Sequence, residues 1–257
     1  MNGAFYIGAT GLDAEQRALD VIAANIANIN TPAYKRSELR FSELVSPTNQ
    51  LSDLSPAGSD LMGGLNGVMV DASPRVFAQG ELKPTGRPMD FAIDGDGFVE
   101  LMGPGGQTML WRGGTLNVNG DGYLAASNGM PLKAMISVPL GVANLTIGPD
   151  GKVQAVVTGD AKPSNLGQID LVRVKDMTGL TTVGGGLYQV AADDDLVTVA
   201  PGEDGGGVLA PGSLEASNVD LSEQMVTLLL LQRAYAANAQ VVQAGDQLMG
   251  IANSLRR

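Results

Sequence analysis

The stretch from Leu221 to Arg257 most constrains this chain, because its helical pattern runs through four consecutive leucines. On a helix Leu228, Leu229, Leu230 and Leu231 lie about 100° apart and cover every side of the rod. The spacing Asp220-Leu221-Ser222-Glu223 is that of a capping box and sets the start. From there Leu221, Leu228, Tyr235, Val242 and Met249 recur every seven residues, with Val241, Leu248 and Leu255 as an adjacent stripe. A helix through Ser254 would be about 50 Å long. One partner helix cannot cover such a rod, and each buried leucine is worth roughly 1.5–3 kcal/mol. The pattern therefore predicts several neighbours, most simply the helices of other subunits; the alternative is that the middle of the chain covers the extra face.

The other end is also helical. Phe5, Leu12, Leu19 and Ile26 recur at seven, with Ile22 and Ile29 three positions beyond two of them. Gly8 and Glu15 hold the matching early positions and predict a weak first half of the seam. Pro32 disfavours helix at Thr31 and predicts an end near Ile29. Between the two helices the period changes to two. Strands are expected at 76–78, 91–93, 98–102, 108–111, 123–125, 145–147, 153–157, 168–174 and 187–190. Asp94-Gly95-Asp96-Gly97, Asn119-Gly120-Asp121-Gly122 and Asp150-Gly151 read as hairpin turns, not as calcium loops, since they lack the ligand spacing and distal Glu of such loops. Ser42 to Gly67 is rich in Ser, Gly, Pro, Asn and Asp and reads as a long loop or extended arm. The expected class is α+β: N- and C-terminal helices forming a coiled-coil-like core domain, with a mainly antiparallel β middle domain. In residues, 1–36 and 213–257 make the helical core, 37–75 a linker and arm, 76–200 the β domain, and 201–212 a second linker.

Composition narrows the functions. The chain has neither Cys nor His, which removes thiol and imidazole nucleophiles and ordinary transition-metal sites; no cofactor is expected. A net charge of −11 argues against a nucleic-acid partner. No apolar run approaches the roughly 20 residues that span a bilayer, so no membrane insertion is expected. No basic residue precedes Arg17, so a cleavable export signal is not expected. A single Trp to form a sugar platform argues against a two-carboxylate hydrolase.

Five ordered motifs then point to a family. Ala23-Ala24-Asn25-Ile26-Ala27-Asn28 with Thr31-Pro32-Ala33-Tyr34-Lys35-Arg36 resembles the N-terminal signature of the flagellar rod and hook proteins. Gly212-Ser213-Leu214-Glu215-Ala216-Ser217-Asn218-Val219-Asp220, with Gln232-Arg233-Ala234-Tyr235 and Asn238, is similar to their C-terminal signature. Gln79-Gly80-Glu81-Leu82 with the segment Phe91 to Phe98, then Trp111 to Leu116, then Gly122-Tyr123-Leu124 match in their usual order. The distal rod branch is the most similar; a proximal rod subunit of this size or a hook-type subunit is the alternative. Ala33 stands where the family usually has Gly, which argues against a left-handed backbone there. Gly114 after Gly113, where an acidic residue or Asn is usual, implies an altered turn.

The resemblance implies a subunit exported unfolded by the flagellar type III export apparatus. It would stack helically on itself, with the terminal helices inside and the β domain outside. Its other partners would be rod subunits on the proximal side, hook protein on the distal side and ring proteins forming a bushing. Taken with the heptad stripes, it places subunit assembly on Leu12, Leu19, Ile22, Asn25, Ile26, Asn28, Thr31, Tyr34 and Lys35. On the C-terminal side the same role falls to Asn218, Leu221, Met225, Leu228, Leu229, Leu231, Gln232, Arg233, Tyr235, Asn238, Val242 and Met249. The arm Ser42–Gly67 would brace neighbours. For Asn25, Asn28 and Thr31, capping of the helix end is the equal alternative. Lys35 and Arg36 singly are expected to be solvated. Gln232, Arg233 and Asn238 either fix register between helices or form a solvent face.

Overall fold

The structure, a computed structural model, describes residues 2–44, 67–70, 74–157, 163–190, 196–203 and 205–255. Two compact units emerge: one of residues 1–27, 37–76 and 219–257, the other of residues 28–36 and 77–218.

The first unit is a helical hairpin with a small β-ribbon. Helix α1 spans Asn2–Ala27 and α2 spans Leu221–Leu255. Asp220 caps α2: its Oδ1 accepts the Ser222 and Glu223 backbone N–H groups at 2.8 and 3.2 Å. The helices run antiparallel, as Gly8 sits on Val242, Gly11 and Glu15 on Asn238, and Asn25 on Gln224. The buried face of α1 carries Gly8, Ala14, Glu15, Ala18, Ile22 and Asn25. Leu12, Leu19 and Ile26 are only half-buried on its flank. The seam is thus turned towards small residues. A Cβ at Gly8 would lie 2.7 Å from Val242 Cγ2, so Gly8, which reads as a weak heptad position, is where the two backbones approach closely.

Strands β1 (Phe41–Leu44) and β2 (Gly67–Val70) pair antiparallel, with Phe41 opposite Val70 and Leu44 opposite Gly67. The ends of the expected arm, Ser42–Leu44 and Gly67, are therefore ribbon rather than loop. Residues 45–66 of that arm lie outside the described residues.

The second unit is all antiparallel among its described strands. One four-stranded sheet has the order β16-β4-β7-β8, from Val208–Pro211, Asp90–Asp94, Gly113–Val118 and Leu124–Ala126. Another has the order β13-β14-β6-β5, from Thr181–Gly184, Leu187–Gln189, Thr108–Trp111 and Val99–Met102. A three-stranded sheet follows, β11-β10-β9, from Ser164–Gln168, Lys152–Val157 and Val142–Ile147. Two pairs complete the unit: β12 (Leu171–Val174) with β15 (Leu196–Val199), and β17 (Ser213–Glu215) with β3 (Leu82–Pro84). Strand alternation divides the apolar residues between two clusters. Met109 and Trp111 of β6 join Phe91, Ile93 and Leu101 in the main core, whereas Leu110 faces Phe98 and Tyr188 in a smaller one.

Several expectations change here. Residues 76–78 form no strand. The expected strand 168–174 breaks at Ile169-Asp170, where the Ile169 N–H turns to the Gly151 carbonyl at 2.8 Å. Asp94–Gly97 is not a hairpin turn, since it links strands of different sheets, whereas the turns at 119–122 and 150–151 do close hairpins. The expected linker 201–212 holds β16, which pairs with β4 beside the core. The Gly113-Gly114 pair is strand, not an altered turn. A Cβ at Gly113 would meet the Phe91 carbonyl oxygen at 2.9 Å, and one at Gly114 would meet Trp111 Cζ2 at 2.7 Å.

Candidate functional site

The sequence motifs at the two chain ends converge on two polar clusters and one apolar helix face. The first cluster lies in the helical unit. Asn25 is fully buried; its Nδ2 donates to Gln224 Oε1 at 3.0 Å and to the Ser37 carbonyl at 2.9 Å, while its Oδ1 accepts the Ser37 N–H at 3.0 Å. A residue able to give and accept at once ties α1, the start of α2 and the returning chain together. It is a buried hub, not a helix cap. Just beyond α1, Thr31 Oγ1 donates to Asn28 Oδ1 at 3.1 Å, a bond between two side chains.

The second cluster lies in the β unit, around the carboxylate of Glu215 on β17. Lys35 Nζ donates to Glu215 Oε1 at 2.5 Å and to the Ala78 carbonyl at 2.8 Å. Arg112 Nε donates to Glu215 Oε2 at 3.1 Å, and the Gly80 N–H to Oε1 at 2.8 Å. The remaining Arg112 nitrogens donate to the carbonyls of Gly95 and Gly97, and its guanidinium lies 5.8 Å from the Phe98 ring centroid. Lys35 is therefore buried at 1% exposure, not solvated. Burial lowers its pKa; Glu215 opposes that shift, and the Arg112 charge, sharing the same carboxylate, reinforces it. Asn218 completes the clamp. It accepts the Arg36 N–H on Oδ1 at 2.7 Å, donates from Nδ2 to the Ala78 carbonyl at 2.9 Å, and donates its own N–H to the Tyr34 carbonyl at 3.3 Å. Within this strap Ala33 takes φ 55° and donates its N–H to the Glu215 carbonyl at 2.8 Å. The left-handed backbone persists in spite of the Cβ, held by neighbours that over-determine it.

The helix face is different. Gln224 is buried, and Leu228, Leu231, Asn238 and Val242 are half-buried on the side towards α1. Asn238 donates to Glu15 Oε1 at 2.7 Å, so it contributes to register, while Gln232 and Arg233 are exposed. Leu221, Met225, Val226, Tyr235, Val241, Leu248 and Met249 are exposed as well, and Leu229 and Leu230 stand 56% and 60% exposed. Two of the four consecutive leucines face solvent.

An open cleft of about 730 Å³ borders the hairpin turn 119–122; among the described residues that line it, Asp121 is the sole carboxylate. A pair of acids for hydrolysis is not assembled in it. The sequence signals missed Glu215, Arg112 and Gln224 as cluster members. An acid and an arginine within family motifs were the available hints.

The chain is similar to known proteins over its whole length. Residues 5–35 match the family model described as flagella basal body rod protein, and residues 210–255 match flagellar basal body rod FlgEFG protein C-terminal. Residues 92–155 match the flagellar hook protein FlgE/F/G D1 domain. The chain is 32% identical over 265 residues to the flagellar basal-body rod protein FlgG of Borreliella burgdorferi, with 100% of both chains covered. The chain belongs to the flagellar basal-body rod protein family. The FlgG protein of Agrobacterium fabrum is 34% identical over 257 residues, covering 96% of this chain and 97% of its own. That of Bacillus subtilis is 31% identical over 264 residues and covers 98% of each. This family member is accordingly a structural rod subunit of the flagellar basal body.

Proposed function

We propose that this rod subunit assembles helically with copies of itself, as a distal rod that transmits torque towards the hook. The observation that carries the reading is the uncovered side of α2, where Leu229 and Leu230 remain exposed within one chain. Covering each with a neighbouring helix would contribute roughly 1.5–3 kcal/mol. A patch of this extent on a long helix is an association surface. Contacts that repeat without closing produce a filament. Leu12, Leu19 and Ile26, half-buried on α1, supply the facing side, so that α1 and α2 of many copies form a coiled-coil-like layer. Asn25, Lys35 and Asn218 serve assembly indirectly, by fixing the strap 28–36 and the start of α2. The ribbon β1–β2 roots the arm that braces neighbours. Other rod subunits, hook protein, ring proteins and the flagellar export apparatus are its further partners.

The test is electron microscopy and light scattering of the purified chain at rising concentration. Filaments above a threshold concentration are expected. A chain that stays monomeric at every concentration, with α2 formed, would refute the reading.

A further inference from the structure

The chain has 11 methionines and no cysteine, so a two-electron oxidant meets thioether sulfur with no thiol to react first. Where those thioethers lie decides what their oxidation does. Met109 is buried in the main core of the β unit. Met102 ends β5 and Met135 follows shortly after Leu132, and both are exposed on that unit. Met225 lies on α2 and, at 50%, is the most exposed methionine among the described residues. Leu221 precedes it by four residues and Leu229 follows it by four, so the three share one exposed side of the helix. Of the four residues a turn away from Met225, three are leucines: Leu221, Leu228 and Leu229. A thioether suits that company, being apolar and adaptable in packing.

We propose that Met225 is an oxidation site of the free subunit, at which a peroxide withholds the subunit from assembly. This rests on the assembly reading above and adds to it a chemical control. The sulfur lone pair attacks one oxygen of hydrogen peroxide, and the S–O bond forms as the O–O bond breaks. The thioether is oxidised by two electrons, and the second oxygen leaves as water with both protons. The product sulfoxide is polar and chiral, and its oxygen needs a hydrogen bond or water. In the free chain that oxygen points into solvent, so the fold is unaffected. Against the apolar side chains of a neighbour it loses its water and gains nothing in return. Once the stripe is covered the sulfur is covered with it, so oxidation acts on subunits before they assemble. Met102 and Met135 offer equally open sulfur outside this stripe, and the effect on assembly belongs to Met225 alone.

The full-length chain, held below its threshold concentration, is treated with hydrogen peroxide and then freed of it with catalase. Peptide mass spectrometry should find added oxygen on Met225, Met102 and Met135 and none on Met109. The threshold for filaments, read by sedimentation, should rise about tenfold, as expected when one polar group is buried without a partner. Helix content by circular dichroism should not change. Methionine sulfoxide reductases should restore both the thioether and the threshold. Met225→Leu, treated alike, should keep its threshold, whereas Met102→Leu with Met135→Leu should remain sensitive. In preformed filaments Met225 should oxidise more slowly than in free subunits, and equal rates would contradict the proposal. Met225 left unoxidised, or an unchanged threshold once it is oxidised, would overturn the inference and leave the assembly reading intact. A Met225→Leu chain as sensitive as the original would do the same. Failure of the untreated chain to polymerise would overturn both. Should Met225→Leu itself not assemble, the reductase arm decides: a threshold that stays high after Met225 is reduced refutes the site.

Discussion

Glu215 serves two cations at once, and that makes the cluster asymmetric. Removing the carboxylate leaves Lys35 and Arg112 buried together, whereas removing Lys35 leaves Glu215 still paired with Arg112 and the Gly80 N–H. Glu215→Gln should therefore cost about 3–5 kcal/mol in urea unfolding, and Lys35→Met clearly less; equal losses would mean that the two cations are not sharing one partner. Lys35 also gives a pH signature. Its folded pKa lies below the unfolded value of about 10.4, so between those two values the unfolded chain binds more protons. Stability should rise with pH across that alkaline window, and Lys35→Met should flatten the rise. Asp90 gives the opposite limb. Burial opposes its ionisation, yet bonds from Thr85, Thr115 and Arg87 at 2.6, 2.7 and 2.8 Å hold its pKa below the ordinary one. Its contribution is complete above about pH 4 and is lost as pH falls through the folded pKa. Asp90→Asn should lower neutral stability and weaken the acid dependence of the unfolding midpoint.

At the scale of elements, α2 has two faces with different duties. The side with Leu228, Leu231, Asn238 and Val242 meets α1, and the side with Leu229 and Leu230 meets nothing within the described chain. Leu229→Gln with Leu230→Gln should leave monomer stability within about 0.5 kcal/mol, the usual range for surface changes, and should suppress filament formation in sedimentation. Gly8→Val acts on the other face. Its branched side chain would run into Val242 and should loosen the hairpin, read as faster hydrogen exchange over α1. Heptad counting found the right helices with the wrong centre line. It weights large residues, while close approach of two backbones is decided by small ones such as Gly8 and Ala18.

For the whole molecule, the division into a helical unit and a β unit makes one prediction. Deleting residues 221–257 should abolish filaments and leave a folded β unit, with near-ultraviolet dichroism from Trp111 and Tyr188 retained. The β unit has its own buried clusters around these two side chains, which argues for that independence. Loss of that signal would show that the β unit needs α2 in order to fold.

Local pattern determined the two helices, the cap at Asp220, the hairpin turns at 119–122 and 150–151, and the family. Each is set by a few adjacent side chains, or by a period that a linear reading detects. Other features depended on residues brought together from far apart in the chain. Strands β16 and β17 emerge from a glycine-rich stretch because β4 and β3 offer them partners, and propensity carries no record of a partner. Lys35 is buried because Glu215, 180 residues away, meets it. Burial and pairing are properties of surroundings, and only the folded chain supplies surroundings.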